Sequence, residues 1–121
     1  MKSYIVDTYA WISYFEGKTE FKTLIEESEL YTPSIVYAEI SRILKRKKVP
    51  ETKRRKILDY IKERSLTLNL DEEQAIKAGE IAEKEELHLI DAIIYSYTDN
   101  KTHLLTGNKH FKGKQNIELI E

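Results

Sequence analysis

Lys2-Ser3-Tyr4-Ile5-Val6-Asp7-Thr8-Tyr9-Ala10-Trp11-Ile12 holds the unit from which the fold is read. Lys2 to Val6 is a short apolar run that stops at a charged residue, as a buried strand does. Thr8 to Phe15 is apolar and aromatic and reads as a helix, which Gly17 ends. A strand passing at once into a helix is half of a parallel crossover, and the rest of the chain repeats that alternation.

Phe21 to Glu29 reads as a second helix and Leu30-Tyr31 as a brief strand. Thr32-Pro33 then has the form of an N-cap followed by proline in the first helical position. The helix it opens carries Val36, Ile40, Ile43 and Leu44 on one face. After Pro50 comes a helix with Ile57, Leu58 and Ile61 as its buried stripe, then a strand over Leu66–Leu70. Asp71 with Gln74 resembles a capping box opening a helix to about Glu85. Ile90 to Tyr97 reads as a helix with Ile90, Ile93, Ile94 and Tyr97 at helical spacing. His103–Thr106 and Ile117–Ile120 are the last strands, with a Gly107-Asn108 turn after the first of them. The expectation is a three-layer α/β/α fold with a central, mainly parallel sheet of four to five strands and right-handed crossovers. Residues 1–121 hold no repeat or Pro/Gly-rich linker and read as a single domain.

Composition narrows the chemistry. There is no cysteine, which excludes disulfides and thiolate metal sites. No apolar run reaches the ~20 residues of a membrane span, and no secretory signal opens the chain, so a cytoplasmic protein is expected. Twenty basic and 21 acidic residues nearly cancel, so the distribution of charge says more than its sum. Lys45, Arg46, Lys47, Lys48, Lys53, Arg54, Arg55 and Lys56 form a basic segment. Such a segment is usually the wet face of helices, and beside a carboxylate site it can hold a phosphate backbone.

In an open parallel sheet, ligands bind at the carboxyl ends of the strands. Asp7 directly follows the first strand, Glu39 lies in the second turn after the second, Asp91 opens a later helix, and Asn108 follows Leu104-Leu105-Thr106. Each has an ordinary structural use as well. Asp7 can cap a helix, Asp91 can serve the helix dipole, Glu39 can pair with Arg42, and Asn108 can take a left-handed turn conformation. Their shared place on one rim favours a site. Carboxylates ~4 Å apart repel by about 4 kcal/mol at an effective dielectric near 20, so converging acids call for a cation. Oxygen donors without cysteine or clustered histidine point to Mg²⁺ or Mn²⁺. His88, His103 and His110 look too scattered in sequence to act as a pair. Tyr9, Trp11, Tyr14 and Phe15 read mostly as core.

Four segments carry a family resemblance. Tyr4-Ile5-Val6-Asp7-Thr8 with Trp11-Ile12 resembles the opening of PIN domains. Pro33-Ser34-Ile35-Val36-Tyr37-Ala38-Glu39-Ile40 is similar to that family's second motif, and His88-Leu89-Ile90-Asp91-Ala92-Ile93-Ile94 to its third. Leu104-Leu105-Thr106-Gly107-Asn108-Lys109-His110-Phe111 resembles the fourth, with Asn108 where an aspartate is usual. The small size is similar to VapC-type toxins. The resemblance implies a Mg²⁺- or Mn²⁺-dependent endoribonuclease, with catalytic residues Asp7, Glu39, Asp91 and Asn108. Asp7, Glu39 and Asp91 would hold the metal, and Thr8 and Thr106 would orient the carboxylates. It implies RNA as substrate, a VapB-type antitoxin as partner and a homodimer. The competing reading is a catalytically degenerate PIN-like module that binds RNA or protein, for which the neutral Asn108 speaks. An aspartyl-phosphate phosphatase would need an aspartate where Tyr9 stands, and no phosphate-binding glycine loop is present.

Overall fold

A computed structural model describes all residues, 1–121. Its elements run β1 (Ser3–Val6), α1 (Thr8–Phe15), α2 (Thr19–Glu27), β2 (Glu29–Pro33), α3 (Ser34–Arg46), α4 (Glu51–Arg64) and β3 (Leu66–Leu68). Then follow α5 (Glu72–Glu85), α6 (Leu89–Tyr95), β4 (Thr102–Thr106), a 3₁₀ turn (Lys109–Phe111) and β5 (Ile117–Leu119). The five strands form one sheet in the order β3-β2-β1-β4-β5, and every pairing is parallel. Six helices flank it in a three-layer α/β/α arrangement, as expected. No helix is long and apolar enough to cross a membrane.

The strand order follows from burial. Tyr4, Ile5 and Val6 are all inaccessible, so β1 cannot be an edge and sits in the middle, covered on both faces. From β1 the chain steps outward to β2 and β3, then returns to the other side of β1 to build β4 and β5. With right-handed crossovers, that reversal puts α1 to α4 on one face and α5 with α6 on the other. It also creates a topological switch point between β1 and β4, where Val6 pairs with Leu105.

Several local expectations change in the folded chain. Thr32 is no helix cap. Pro33 precedes α3 without any side-chain cap, and Thr32 is fully buried in β2. There the Trp11 indole N–H donates to the Thr32 hydroxyl (3.1 Å). The Thr32 hydroxyl lies 2.7 Å from the Ser65 hydroxyl, which donates to the Ile61 carbonyl at 2.7 Å. The relay satisfies every member of a buried polar chain, so a sequence signal for a cap lost to a tertiary claim on the same hydroxyl. Asp71 does cap α5, accepting from the Gln74 N–H. The Gln74 side chain completes no box and reaches Ser96 instead. Of the regularly spaced apolar residues of α6, Ile90 is exposed, as is its neighbour Leu89, because the helix turns Ala92, Ile93 and Ile94 inward. In the aromatic segment Trp11 is buried, Tyr14 and Phe15 pack against the core, and Tyr9 is exposed.

The relay gives one test. Thr32→Val leaves the Trp11 N–H without its acceptor and should cost about 1–3 kcal/mol in denaturant unfolding. Adding Trp11→Phe should cost less than the sum of the single changes, because both partners are then apolar. A Thr32→Val variant as stable as the parent would show that the relay contributes nothing.

Candidate active site

Asp7 stands where β1 ends and α1 begins, at the switch point. Its backbone is extended and its side chain caps α1, with Oδ1 accepting from the Ala10 N–H at 2.8 Å. Oδ2 accepts a hydrogen bond from the Thr106 hydroxyl at the end of β4. Thr106 in turn accepts from the Asn108 N–H at 2.9 Å. The capping use and a site use therefore coexist in one carboxylate, whose two oxygens serve different elements. Only 5% of Asp7 is exposed. Burial is the main reason its pKa rises to about 7; the Thr106 and Ala10 hydrogen bonds oppose the rise, and the charges of Asp91 and Glu39 add to it.

The two other acids thus lie close enough for their charges to act on Asp7. Glu39 projects from α3, half-buried, and accepts from the Thr8 hydroxyl at 2.5 Å. No ion pair joins it to Arg42; the salt bridges of the molecule lie elsewhere. Asp91, in the first turn of α6, faces His110, with Nδ1 3.8 Å from Oδ2. Asn108 is not left-handed, with φ −80°; it caps the 3₁₀ turn, its amide oxygen accepting from the His110 N–H.

Two features escape a reading of the sequence. His88 and His110 are not scattered: their rings lie 5.7 Å apart, with His110 alone facing Asp91, brought together because the turn after β4 meets the start of α6. The second is a hollow of about 320 Å³ beside Glu39, lined by Ile35, Arg42, Arg46 and Ile90 among others. Glu39, Arg42 and Arg46 follow at spacings of three and four along α3, which extends the acidic rim into a basic ridge. A larger hollow of about 440 Å³, lined by Met1, Glu27 and Lys62 among others, lies at the amino ends of the strands. It is remote from the acids and from the switch point, which makes the smaller one the relevant surface.

The donor set fits a hard divalent cation in chemistry: carboxylate oxygens, one of them buried, with mutually repelling charges. As the side chains stand, no three His, Asp or Glu groups form a metal-holding cage. Glu39 Oε1 is engaged by Thr8, and Asp91 faces His110.

Gly107 sets the turn between Thr106 and Asn108. A Cβ there would overlap the Tyr9 ring, so the ring rests on the bare backbone. Gly107→Ala should displace Tyr9 and cost about 1–3 kcal/mol by overpacking. In a Tyr9→Ala background the same change should cost little, and an equal cost in both backgrounds, measured by thermal melting, would separate Gly107 from Tyr9.

The sequence matches the model of the PIN domain over residues 4–114, a span that contains all these groups. The chain belongs to the PIN-domain family. Its PIN fold is similar to a toxin–antitoxin complex from Klebsiella pneumoniae, with 22% identity, 96% of each chain covered and a TM-score of 0.77. It also resembles the DNA-bound VapBC from Salmonella typhimurium (20% identity, 99% of this chain and 98% of that one, TM-score 0.72). VapBC2 from Rickettsia felis, bound to a promoter DNA fragment, is similar as well (20% identity, 97% and 96% covered, TM-score 0.71). At these identities the likeness is one of fold. No curated protein sequence matches this PIN domain.

Proposed function

We propose that this PIN domain is a divalent-metal-dependent endoribonuclease and the toxin of a VapBC-type pair. The observation that carries the proposal is the approach of Asp91 and Glu39 to a buried Asp7 at the switch point of the sheet. Asp7, Glu39 and Asp91 would hold Mg²⁺ or Mn²⁺. When bound, such an ion lowers the pKa of a water and offsets charge on phosphoryl oxygens.

The protein's own groups prepare that chemistry. Thr106 and the Ala10 N–H hold the two oxygens of Asp7, and Thr8 holds Glu39. Asn108 supports Thr106 through its backbone N–H. Arg42 and Arg46 present positive charge along α3 from the acidic rim, suited to the phosphates on either side of a scissile bond. The exposed Tyr9 offers a ring to an unstacked base. The reading extends to a VapB-type antitoxin, in line with the toxin–antitoxin complexes that share the fold, and further to a homodimer and a cytoplasmic location.

Cleavage of single-stranded RNA that needs Mg²⁺ or Mn²⁺ and stops with EDTA tests the enzyme reading. Metal-independent RNA binding without cleavage would favour a degenerate module, the reading that Asn108 supports through its neutral amide. Growth arrest relieved by a neighbouring gene tests the toxin reading. Arg42→Gln with Arg46→Gln should weaken RNA binding and flatten its dependence on log salt by about 0.7 for each phosphate no longer neutralised. Arg55→Gln, which removes a charge paired with Glu51 on exposed α4, should leave the slope unchanged. Equal slopes for the double variant and the parent would make the α3 ridge a solvated surface.

A further inference from the structure

The hollow beside Glu39 lies between α3 and α6, and its volume of about 320 Å³ is at the lower end of the ~300–1,000 Å³ of small-ligand sites. Ile35, Ala38 and Ile43 form its α3 side and Ile90 its α6 side. Ile90 keeps 39% of its surface exposed, so the two helices leave apolar surface in water that a ligand could cover. Arg42 and Arg46 line the same hollow. Of the five arginines in the chain, Arg54 and Arg64 donate to backbone carbonyls and Arg55 pairs with Glu51. Arg42 and Arg46 have neither an ionic nor a hydrogen-bonded side-chain partner in the fold. Apolar walls, two uncommitted guanidiniums and an opening at Glu39 suit a ligand that joins a flat ring to negative charge. A nucleotide has both, since a guanidinium binds phosphate bidentately and stacks on a base. An apolar peptide would cover the isoleucines and leave both guanidiniums without an anion.

We propose that the hollow between α3 and α6 is the subsite that holds one unstacked nucleobase of the RNA strand, next to the phosphate at the acids. Glu39 and Arg46 belong to one helix and lie ~10 Å apart along its axis, so acids, base and flanking phosphate follow one another along α3. The isoleucines cover the base, and Arg42 and Arg46 neutralise the phosphate that accompanies it. The proposal rests on the ribonuclease reading above and adds where a base is held and by which residues.

Methyl NMR of the isoleucine-labelled full chain in EDTA tests it, with AMP, GMP, CMP and UMP as probes and ribose 5-phosphate as the probe without a base. The nucleotides should shift the methyls of Ile35, Ile43 and Ile90 through the ring current of the base. Ile76, 66% exposed on α5, should stay unmoved. Ala38→Phe, at an exposed position of α3, fills the hollow and should weaken nucleotide binding at least about tenfold, the scale of a misfit in an apolar pocket. Ile90→Ala removes the α6 wall and should weaken it by a similar factor, whereas Ile76→Ala should change nothing. Parent affinity in both hollow variants, or equal methyl shifts from ribose 5-phosphate, would overturn the base subsite and leave a phosphate contact only. Methyl shifts that follow protein concentration without nucleotide would also overturn it, by assigning the hollow to contact between copies of the chain. The titration contains no metal, so its outcome is separate from that of the enzyme reading. Base binding without RNA cleavage would overturn only that reading, and cleavage by a protein whose hollow takes no nucleotide would overturn only the subsite.

Discussion

Asp91→Ala is expected to lower RNA cleavage by on the order of 10³-fold, the scale on which removing one preorganised electrostatic interaction weakens a transition state. Asp91 sits in the first turn of α6, where its structural contribution is a favourable interaction with the helix dipole. That interaction is worth about 0.3–1 kcal/mol. Removing the side chain also relieves a charge that acts on Asp7. The two effects oppose each other, so the variant should melt close to the parent while losing activity. Single-turnover cleavage at saturating Mn²⁺, measured beside a thermal melt, separates catalysis from folding. Cleavage within tenfold of the parent would remove Asp91 from the site.

The second large effect is on stability and pH. Asp7 has a pKa raised to about 7 in the fold, against about 3.9 in an unfolded chain. The fold therefore prefers the protonated form. Stability linked to this group is fully present below about pH 4 and declines as pH rises to 7, where the folded carboxyl ionises. Three pH units at about 1.4 kcal/mol each make a loss of about 4 kcal/mol by neutral pH in metal-free solution. Asp7→Asn retains an oxygen to accept from Ala10 and has no charge to bury. Its stability should match the parent near pH 4 and exceed it near pH 8, so the difference curve rises through that interval. Mg²⁺ at about 100 times its Kd should steady the parent by about 2.7 kcal/mol, and Asp7→Asn should lose most of that response. Parallel pH curves would mean that the buried carboxylate is already neutralised by other means. An unchanged response to Mg²⁺ would take Asp7 out of the ion's reach.

By itself the sequence determined the elements and their order. The apolar run Tyr4–Val6 makes a strand that must be covered on both faces. Asp7 caps α1 because a short acceptor before a helix meets free N–H groups. Alternation of strands and helices was enough for a parallel sheet, and the rule about strand ends directed attention to Asp7, Glu39 and Asp91. These signals are local, written within about one helical turn or one strand.

Only the tertiary structure decided which local signals prevailed and which distant groups met. Thr106 reaches Asp7 across 99 residues, because β4 returns to pair with β1. Periodicity marks the apolar residues of α6 but not which of them find a neighbour, so Ile90 faces outward while Ile94 is buried. Thr32 gave up a cap because the buried Trp11 N–H takes its hydroxyl as acceptor. His110 comes to Asp91 through the 3₁₀ turn that Asn108 caps, a meeting with no trace in the spacing of the chain. Short-range patterns record backbone preference and exposure to water. Strand order and side-chain pairing depend on burying one continuous core and satisfying every polar group within it.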